Sequence, residues 1–261
     1  MAGACSDMTR MNPAFSVCTS RLRLWLAVVS KVLLGIALYT TAGSLAGRDT
    51  GPATHPAAQS ASILSWMSSA LHPEDRAELL AQQLTQEEKI TLTQGEDFGA
   101  TAGKLMDLGR FGLPPLLEAD AVRTVMNMKR TIPATEFPAN ITVAASFDDS
   151  LAEARGRFLA AEARAQGIAI LLNPAGNLVR DPRGGRTSEY PGEDPLLAGN
   201  MMAAYVRGIQ SKHVLATVKH FAINGWESQR KTSDMKIDEA VARESELLAF
   251  EIAIRTAGPA L

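Results

Sequence analysis

Cysteine is almost missing from this chain, with two in 261 residues, Cys5 and Cys18. Both lie in a leader segment. Once that segment is removed there is no disulfide, no thiolate nucleophile and no Cys-bearing zinc site. Histidine is scarce as well, at four. His55 and His72 sit in linker-like sequence and His213 near a helix end, which leaves His220 in the only site-like setting. One such histidine without cysteine argues against a metal centre, and no cofactor is expected. An excess of either charge is lacking too: 26 Lys and Arg stand against 28 Asp and Glu, a net charge of −2. A bulk electrostatic case for nucleic acid is therefore absent, and aromatics at 5% offer little for stacking on bases. Neither the P-loop spacing nor a G-x-S-x-G nucleophile elbow occurs.

What the chain does have is an ordinary globular composition, 46% hydrophobic and 21% charged, which excludes a disordered or collagen-like polymer. Its length suits one or two domains with a sizeable core. Arg21 and Arg23 precede an apolar run from Leu24 to Tyr39, broken only by Ser30 and Lys31, and Ser44-Leu45-Ala46 fits a small-x-small cleavage site. Residues 1–46 thus read as a secretory signal peptide, with an uncleaved signal-anchor or a disordered leader as the alternatives. Lys31 in the apolar run would cost about 2.5–3.5 kcal/mol at a membrane centre. Export is expected, to a periplasm or the extracellular space, with membrane association only through such an anchor. Residues 47–63, rich in Gly, Pro, Ser, Thr and Ala, read as a linker.

From residue 64 onward, helical and apolar segments alternate. Pro73-Glu74-Asp75 opens a helix to Leu84, with proline in the first turn and acids at the positive end. Thr85 and Glu88 have the spacing of a capping box for a second helix. Residues 113–118 read as a buried strand whose Pro114 and Pro115 confine the ladder to its end. Asp148 or Asp149 caps a helix through Ala165 that Gly167 ends, and Ile168–Leu172 is a continuous apolar strand. A polar loop over 173–194 leads to a helix from Pro195 to about Ser211, a third strand over 214–218 and a helix from Asp238-Glu239 to Gly258. Ala260-Leu261 would open a fourth strand. Strands alternating with helices predict an α/β fold with a parallel sheet, either a (β/α) barrel or a doubly wound sheet. In both architectures the site lies where strands end.

Three strand ends carry the chemistry. Asp120 follows the first strand; alone it reads as a cap or turn residue. The loop VRDPRGGRTSEYPGEDP packs Arg180, Arg183 and Arg186 among Asp181, Glu189, Glu193 and Asp194, with Gly184-Gly185 permitting a tight path. An Arg fork there can hold a polar ligand in register, although a surface loop laced with ion pairs fits the same residues. Lys219-His220 ends the third strand, followed by Asn224, Glu227 and Arg230. Asp, Arg, Lys and His together form a hydroxyl-binding set that suits a carbohydrate pocket.

From about Leu84 to its end the chain resembles the N-terminal catalytic domain of glycoside hydrolase family 3, the β-glucosidase type. LTQEEKI is similar to the family's opening helix, GLPPLLEAD to its first strand, and TEFPANITVAASFD to its Pro-containing segment. RDPRGGRTSEYPGEDP and KHFAINGWESQR are similar to its two most specific motifs, in the family's order. The resemblance implies a partial (β/α)8 TIM-type barrel over residues 64–261. It implies further that Asp120, Arg186, Lys219 and His220 bind hydroxyls of the terminal sugar, with Glu189 and Glu227 supporting. The Gly-Pro-His-Gly often found after the Asp is replaced by Ala121-Val122-Arg123-Thr124, so the pocket wall beside Asp120 departs from the family pattern. The hexosaminidase branch usually has Lys-His-Phe-Pro-Gly-His; Ala222-Ile223-Asn224 here argues for the glucosidase side.

The family hydrolyses terminal β-glycosidic bonds with retention, through an Asp nucleophile in a Ser-Asp-Trp-like motif and an acid/base from a second domain. No such motif follows Gly258. The chain is therefore expected to be the N-terminal part of a β-glucosidase-like hydrolase, with a β-linked glucoside or oligosaccharide as substrate but no nucleophile or acid/base of its own. The alternative is a non-catalytic sugar-binding remnant or the unfolded product of a broken gene. A complete barrel needs eight strands, and about four are expected here, which leaves open edges and apolar faces prone to aggregation.

Overall fold

The computed structural model describes residues 65–94, 103–104, 108–126 and 132–260. The leader over 1–46 and the linker over 47–63 lie outside the described residues, as does Leu261. Among the described residues, no helix is long and apolar enough to cross a membrane.

Two short helices lead into the sheet. Helix α1 (Pro73–Gln83) starts on Pro73 with Glu74 and Asp75 in its first turn, where acids meet the positive end of the helix dipole. Helix α2 (Gln86–Thr91) carries the expected capping box: Thr85 Oγ1 accepts from the Glu88 amide and Glu88 accepts from the Thr85 amide. Glu88 also takes a two-bond grip from Arg110, at 2.8 and 2.6 Å. That guanidinium and the Thr85 amide hold its carboxyl down at about 2.

The sheet runs in the order β1-β2-β3-β4. Strand β1 (Gly103–Lys104) is antiparallel to β2 (Leu117–Asp120), a pairing not foreseen from the sequence. Strands β2, β3 (Ile168–Leu172) and β4 (Leu215–Ala216) are parallel, with Asp120 opposite Leu172 and Leu171 opposite Ala216. The ladder of β2 begins at Leu117 rather than at 113, past both prolines, because neither can donate to a neighbour. The third parallel strand is shorter than 214–218, but an isolated parallel bridge from Ala175 to Lys219 extends its direction. Residues 258–260 form no strand.

Helices α4 (Asp149–Ala165) and α5 (Pro195–Gln210) cover one face of the sheet, preceded by the short α3 (Asn140–Ala144). Asp148 caps α4 by accepting from the Ser150 amide at 2.9 Å, and Asp194 caps α5 by accepting from the Leu197 amide at 2.7 Å. Gly167, at φ +76°, releases the chain from α4 into β3. The two long helices cross at near backbone contact. A Cβ on Gly156 would lie 2.7 Å from the Tyr205 carbonyl oxygen, and one on Gly208 would lie 2.2 Å from that of Glu153. Ala119, Leu171 and Ala216 pack on this side against Leu159, Ala163, Val206 and Ile209. On the opposite side Ile170 packs with Trp66, Leu80 and Phe111.

The last helical stretch is two helices, α6 (Glu239–Glu244) and α7 (Glu246–Ala257), where the sequence suggested one. The break falls at Ser245, at φ −128° and ψ −91°, because Glu246 turns inward. Glu246 is 3% exposed and takes hydrogen bonds from Arg180 Nε at 2.6 Å and from the Leu178 amide at 3.4 Å. The architecture is thus α/β with parallel strands, a partial barrel.

Candidate functional site

Each predicted residue leaves the sheet at the end where its strand finishes. Asp120 is the last residue of β2. Lys219 and His220 follow β4, joined by a cis peptide. Arg186 and Glu189 lie on the loop after β3, where Thr187–Glu189 makes one tight 3-10 turn. Parallel strands all finish at the same edge, so residues far apart in sequence meet there. Asp120 and Lys219, 99 positions apart, form a direct ion pair.

Arg186 is the hub. Its Nε donates to Glu189 Oε1 at 2.8 Å and its Nη2 to Glu189 Oε2 at 3.0 Å, a two-bond grip that fixes the plane of the guanidinium. Its Nη1 donates to Glu227 Oε1 at 3.3 Å, and Glu227 also pairs with Arg230. The backbone allows Glu227 to approach: Gly185 adopts φ +86°, and the Gly184 carbonyl accepts from the Glu227 amide at 3.1 Å. Burial works to lower the pKa of Arg186, but the Glu189 carboxylate outweighs it and leaves the pKa above its ordinary value.

His220 is held neutral. Burial, followed by the Arg186 and Lys219 charges, lowers its pKa from 6.5 to about 4. Its Nε2 lies 2.9 Å from Arg186 Nη2, which can only donate, so Nε2 accepts and the proton sits on Nδ1. Nδ1 faces Tyr190 Oη at 3.3 Å, and that hydroxyl donates in turn to the Asn224 carbonyl at 2.8 Å. Burial raises the Tyr190 pKa, which keeps its proton in place. The backbone of His220 is gripped at both ends by Asn177, whose Oδ1 accepts from the His220 amide at 2.8 Å and whose Nδ2 donates to the His220 carbonyl at 2.9 Å.

A cavity of about 850 Å³ opens over these residues. Asp120, Lys219, Arg186, Ser188 and Glu189 line it together with residues of the 122–126 and 132–136 stretches, including the ion-paired Arg123 and Glu136. His220 does not line this cavity; it stands behind Arg186. The cationic side chains at the wall, Arg123, Arg186 and Lys219, each meet a carboxylate of the same wall. Such a surface offers directed donors and acceptors with little net field, which suits a neutral polyhydroxylated ligand. Among the described residues no group of His, Cys, Asp and Glu side chains is arranged to hold a metal ion.

Residues 77–260 match the glycosyl hydrolase family 3 N-terminal domain. The chain belongs to this family. Within family 3 it is 35% identical over 189 residues to thermostable beta-glucosidase B of Acetivibrio thermocellus, covering 69% of this chain and 24% of that protein. It is 39% identical over 184 residues to beta-glucosidase B of Emericella nidulans, covering 70% and 21% respectively. Among solved structures it is similar to beta-glucosidase 3B from Thermotoga neapolitana in complex with glucose, with a TM-score of 0.64, 35% identity and coverage of 68% and 27%. It is also similar to the beta-glucosidase from Kluyveromyces marxianus in complex with glucose, with a TM-score of 0.66, 35% identity and coverage of 70% and 22%. The chain spans about a quarter of the length of the curated family 3 relatives it matches.

Arg123 lies in the stretch that departs from the family pattern beside Asp120, while Asn177, Tyr190 and Glu136 were not singled out from the sequence. Tyr190 lay inside a motif already recognised. Asn177 carried no separate signal within the polar loop that follows β3.

Proposed function

We propose that this chain supplies the innermost sugar-binding subsite of a β-glucosidase-like retaining hydrolase acting on terminal β-glycosidic bonds. The observation that carries the reading is the meeting, at one sheet edge, of Asp120, Lys219 and the Arg186–Glu189 pair around a cavity whose charges are internally matched. Asp120, Lys219 and Arg186 hold hydroxyls of the terminal sugar. His220, with Nε2 facing Arg186, completes the set by holding that guanidinium in the wall. Glu189 and Glu227 support Arg186 from either side.

Retaining hydrolysis needs a carboxylate nucleophile and a carboxyl acid/base about 5–5.5 Å apart across the scissile bond. This reading assigns neither role to Asp120, Glu189 or Glu227, because each is already ion-paired with a cation. The 261-residue chain is therefore expected to bind glucose without hydrolysing an aryl β-glucoside. The basic residues and apolar run of the leader support export as the setting in which it meets extracellular or periplasmic glycosides. The test pairs glucose titration by calorimetry with a hydrolysis assay on the purified chain. Absence of glucose binding refutes the subsite, and turnover that disappears in Asp120→Ala refutes the assignment of no catalytic carboxyl.

A further inference from the structure

Behind the cavity, one charged side chain is buried with no carboxylate against it among the described residues. Arg155, on α4, is 4% exposed. Its guanidinium carbon lies 5.4 Å from the Phe137 ring centre and 5.5 Å from that of Tyr205. Its Nη2 donates to the Val122 carbonyl at 2.5 Å, while Nε and Nη1 are buried without a hydrogen-bond partner. Burying a guanidinium with so few partners carries a desolvation cost, and burial pulls its pKa down.

Val122 lies in the turn that follows Asp120 and lines the cavity. Three carbonyls of that turn are engaged: Asp120 by the Met126 amide at 2.8 Å, Val122 by Arg155, and Arg123 by the Phe137 amide at 2.8 Å. Arg155 is the only side chain in that series. On its other side Tyr205, 2% exposed, donates to Asn140 Oδ1 at 3.4 Å. Asn140, 3% exposed, donates through Nδ2 to the Glu189 carbonyl at 2.7 Å. Glu189 carries Arg186. A connection therefore runs from the 122–126 turn, through α4, α5 and α3, to the Arg186 turn of the same pocket.

We propose that Arg155, Tyr205 and Asn140 form a brace that sets the spacing between the 122–126 turn and the Arg186 turn of the pocket, with Arg155 as its positioning residue. The proposal rests on the sugar-binding reading of the pocket. The guanidinium lies within cation–π range of both the Phe137 and Tyr205 rings while it donates to the Val122 carbonyl, and its planar shape suits ring contact better than a compact ammonium does.

The experiment uses the full 261-residue chain and the variants Arg155→Met, Arg155→Lys and Asn140→Ala, with glucose titration and site-resolved amide exchange. Arg155→Met should raise the glucose Kd about tenfold, the scale of one lost hydrogen bond from a charged donor. It should also speed exchange of the Met126 and Phe137 amides relative to amides within α5. Arg155→Lys should fall between, recovering the Val122 bond but not the planar contact with the rings. A double variant Arg155→Lys with Asn140→Ala should cost less than the product of the two single effects, because one brace is being broken twice. Unchanged exchange and Kd in Arg155→Met overturn the brace, as does a double variant that costs the full product. If Arg155→Met fails to fold, Arg155→Lys and the double variant decide by the same criteria. If the unaltered chain does not bind glucose, the sugar reading falls, and the exchange comparison alone decides the brace.

Discussion

His220 supplies a test in which the perturbation is pH alone. Its imidazole has an ordinary pKa of 6.5 in the unfolded chain and about 4 in the folded one, lowered by burial and by the Arg186 and Lys219 charges. The unfolded state therefore binds more protons than the native state between these two values, so stability rises with pH across that window. The contribution is fully present above pH 6.5 and is lost as pH falls through about 4. Each pKa unit corresponds to about 1.36 kcal/mol, which sets an upper bound near 3 kcal/mol; the part-exposed position and solvent screening bring the expected loss to about 1–2 kcal/mol. Other groups titrate as well. Burial raises the Glu118 pKa, which makes its contribution fall as pH rises, opposite in sign to His220. Asp181 and Glu88, held at about 2 by Arg183 and Arg110, act mainly below the His220 window. The assay is urea denaturation from pH 4 to 7 on the unaltered chain and on His220→Gln, whose amide can still accept from Arg186. The difference between the two curves isolates His220, and an imidazole titration followed by NMR gives the native pKa directly. A difference curve that is flat over this window, or a native pKa at or above 6.5, refutes the buried neutral imidazole.

Three further outcomes follow from the geometry. Arg186→Met leaves Glu189 and Glu227 facing each other without their shared cation, and should cost about 2–4 kcal/mol by urea denaturation and abolish glucose binding. Thr85→Ala removes the cap of α2 and should cost about 1 kcal/mol by the same measurement, with the glucose Kd unmoved because α2 does not reach the pocket. Gly208→Ala should lower stability by about 1–3 kcal/mol through the clash with the Glu153 carbonyl, read as a drop in Tm, and a neutral result would mean that α4 and α5 separate freely.

Legibility in the sequence followed the range of the forces involved. Helix starts at Pro73, Thr85, Asp148 or Asp149, and Pro195 were visible because capping and first-turn preferences act within one turn. Asp120, Lys219 and His220 stood out as polar residues at expected strand ends, and Arg186 as part of an Arg-rich, Gly-Gly loop that the family resemblance picked out. The break at Ser245 was not visible, since it depends on Glu246 reaching Arg180, 66 positions away. Arg155 and Asn140 were invisible for the same reason. Each looks like an ordinary helix residue until its partner, 33 or 49 positions distant, is in place. The antiparallel β1 is too short to leave a period in the sequence.

The ion pair between Asp120 and Lys219 closes a loop of 99 positions that contains β3, α4 and α5. Neither half of the grip on a ligand exists until β2 and β4 have both docked on β3, so occupancy of the pocket reports the assembly of the whole sheet rather than of one loop. By mass action, a sugar at a hundred times its Kd would then favour the assembled state by about 2.7 kcal/mol. On the sugar-binding reading proposed above, a ligand small enough to touch a few side chains would favour assembly of the sheet, and glucose in the refolding buffer should then raise the yield of native chain.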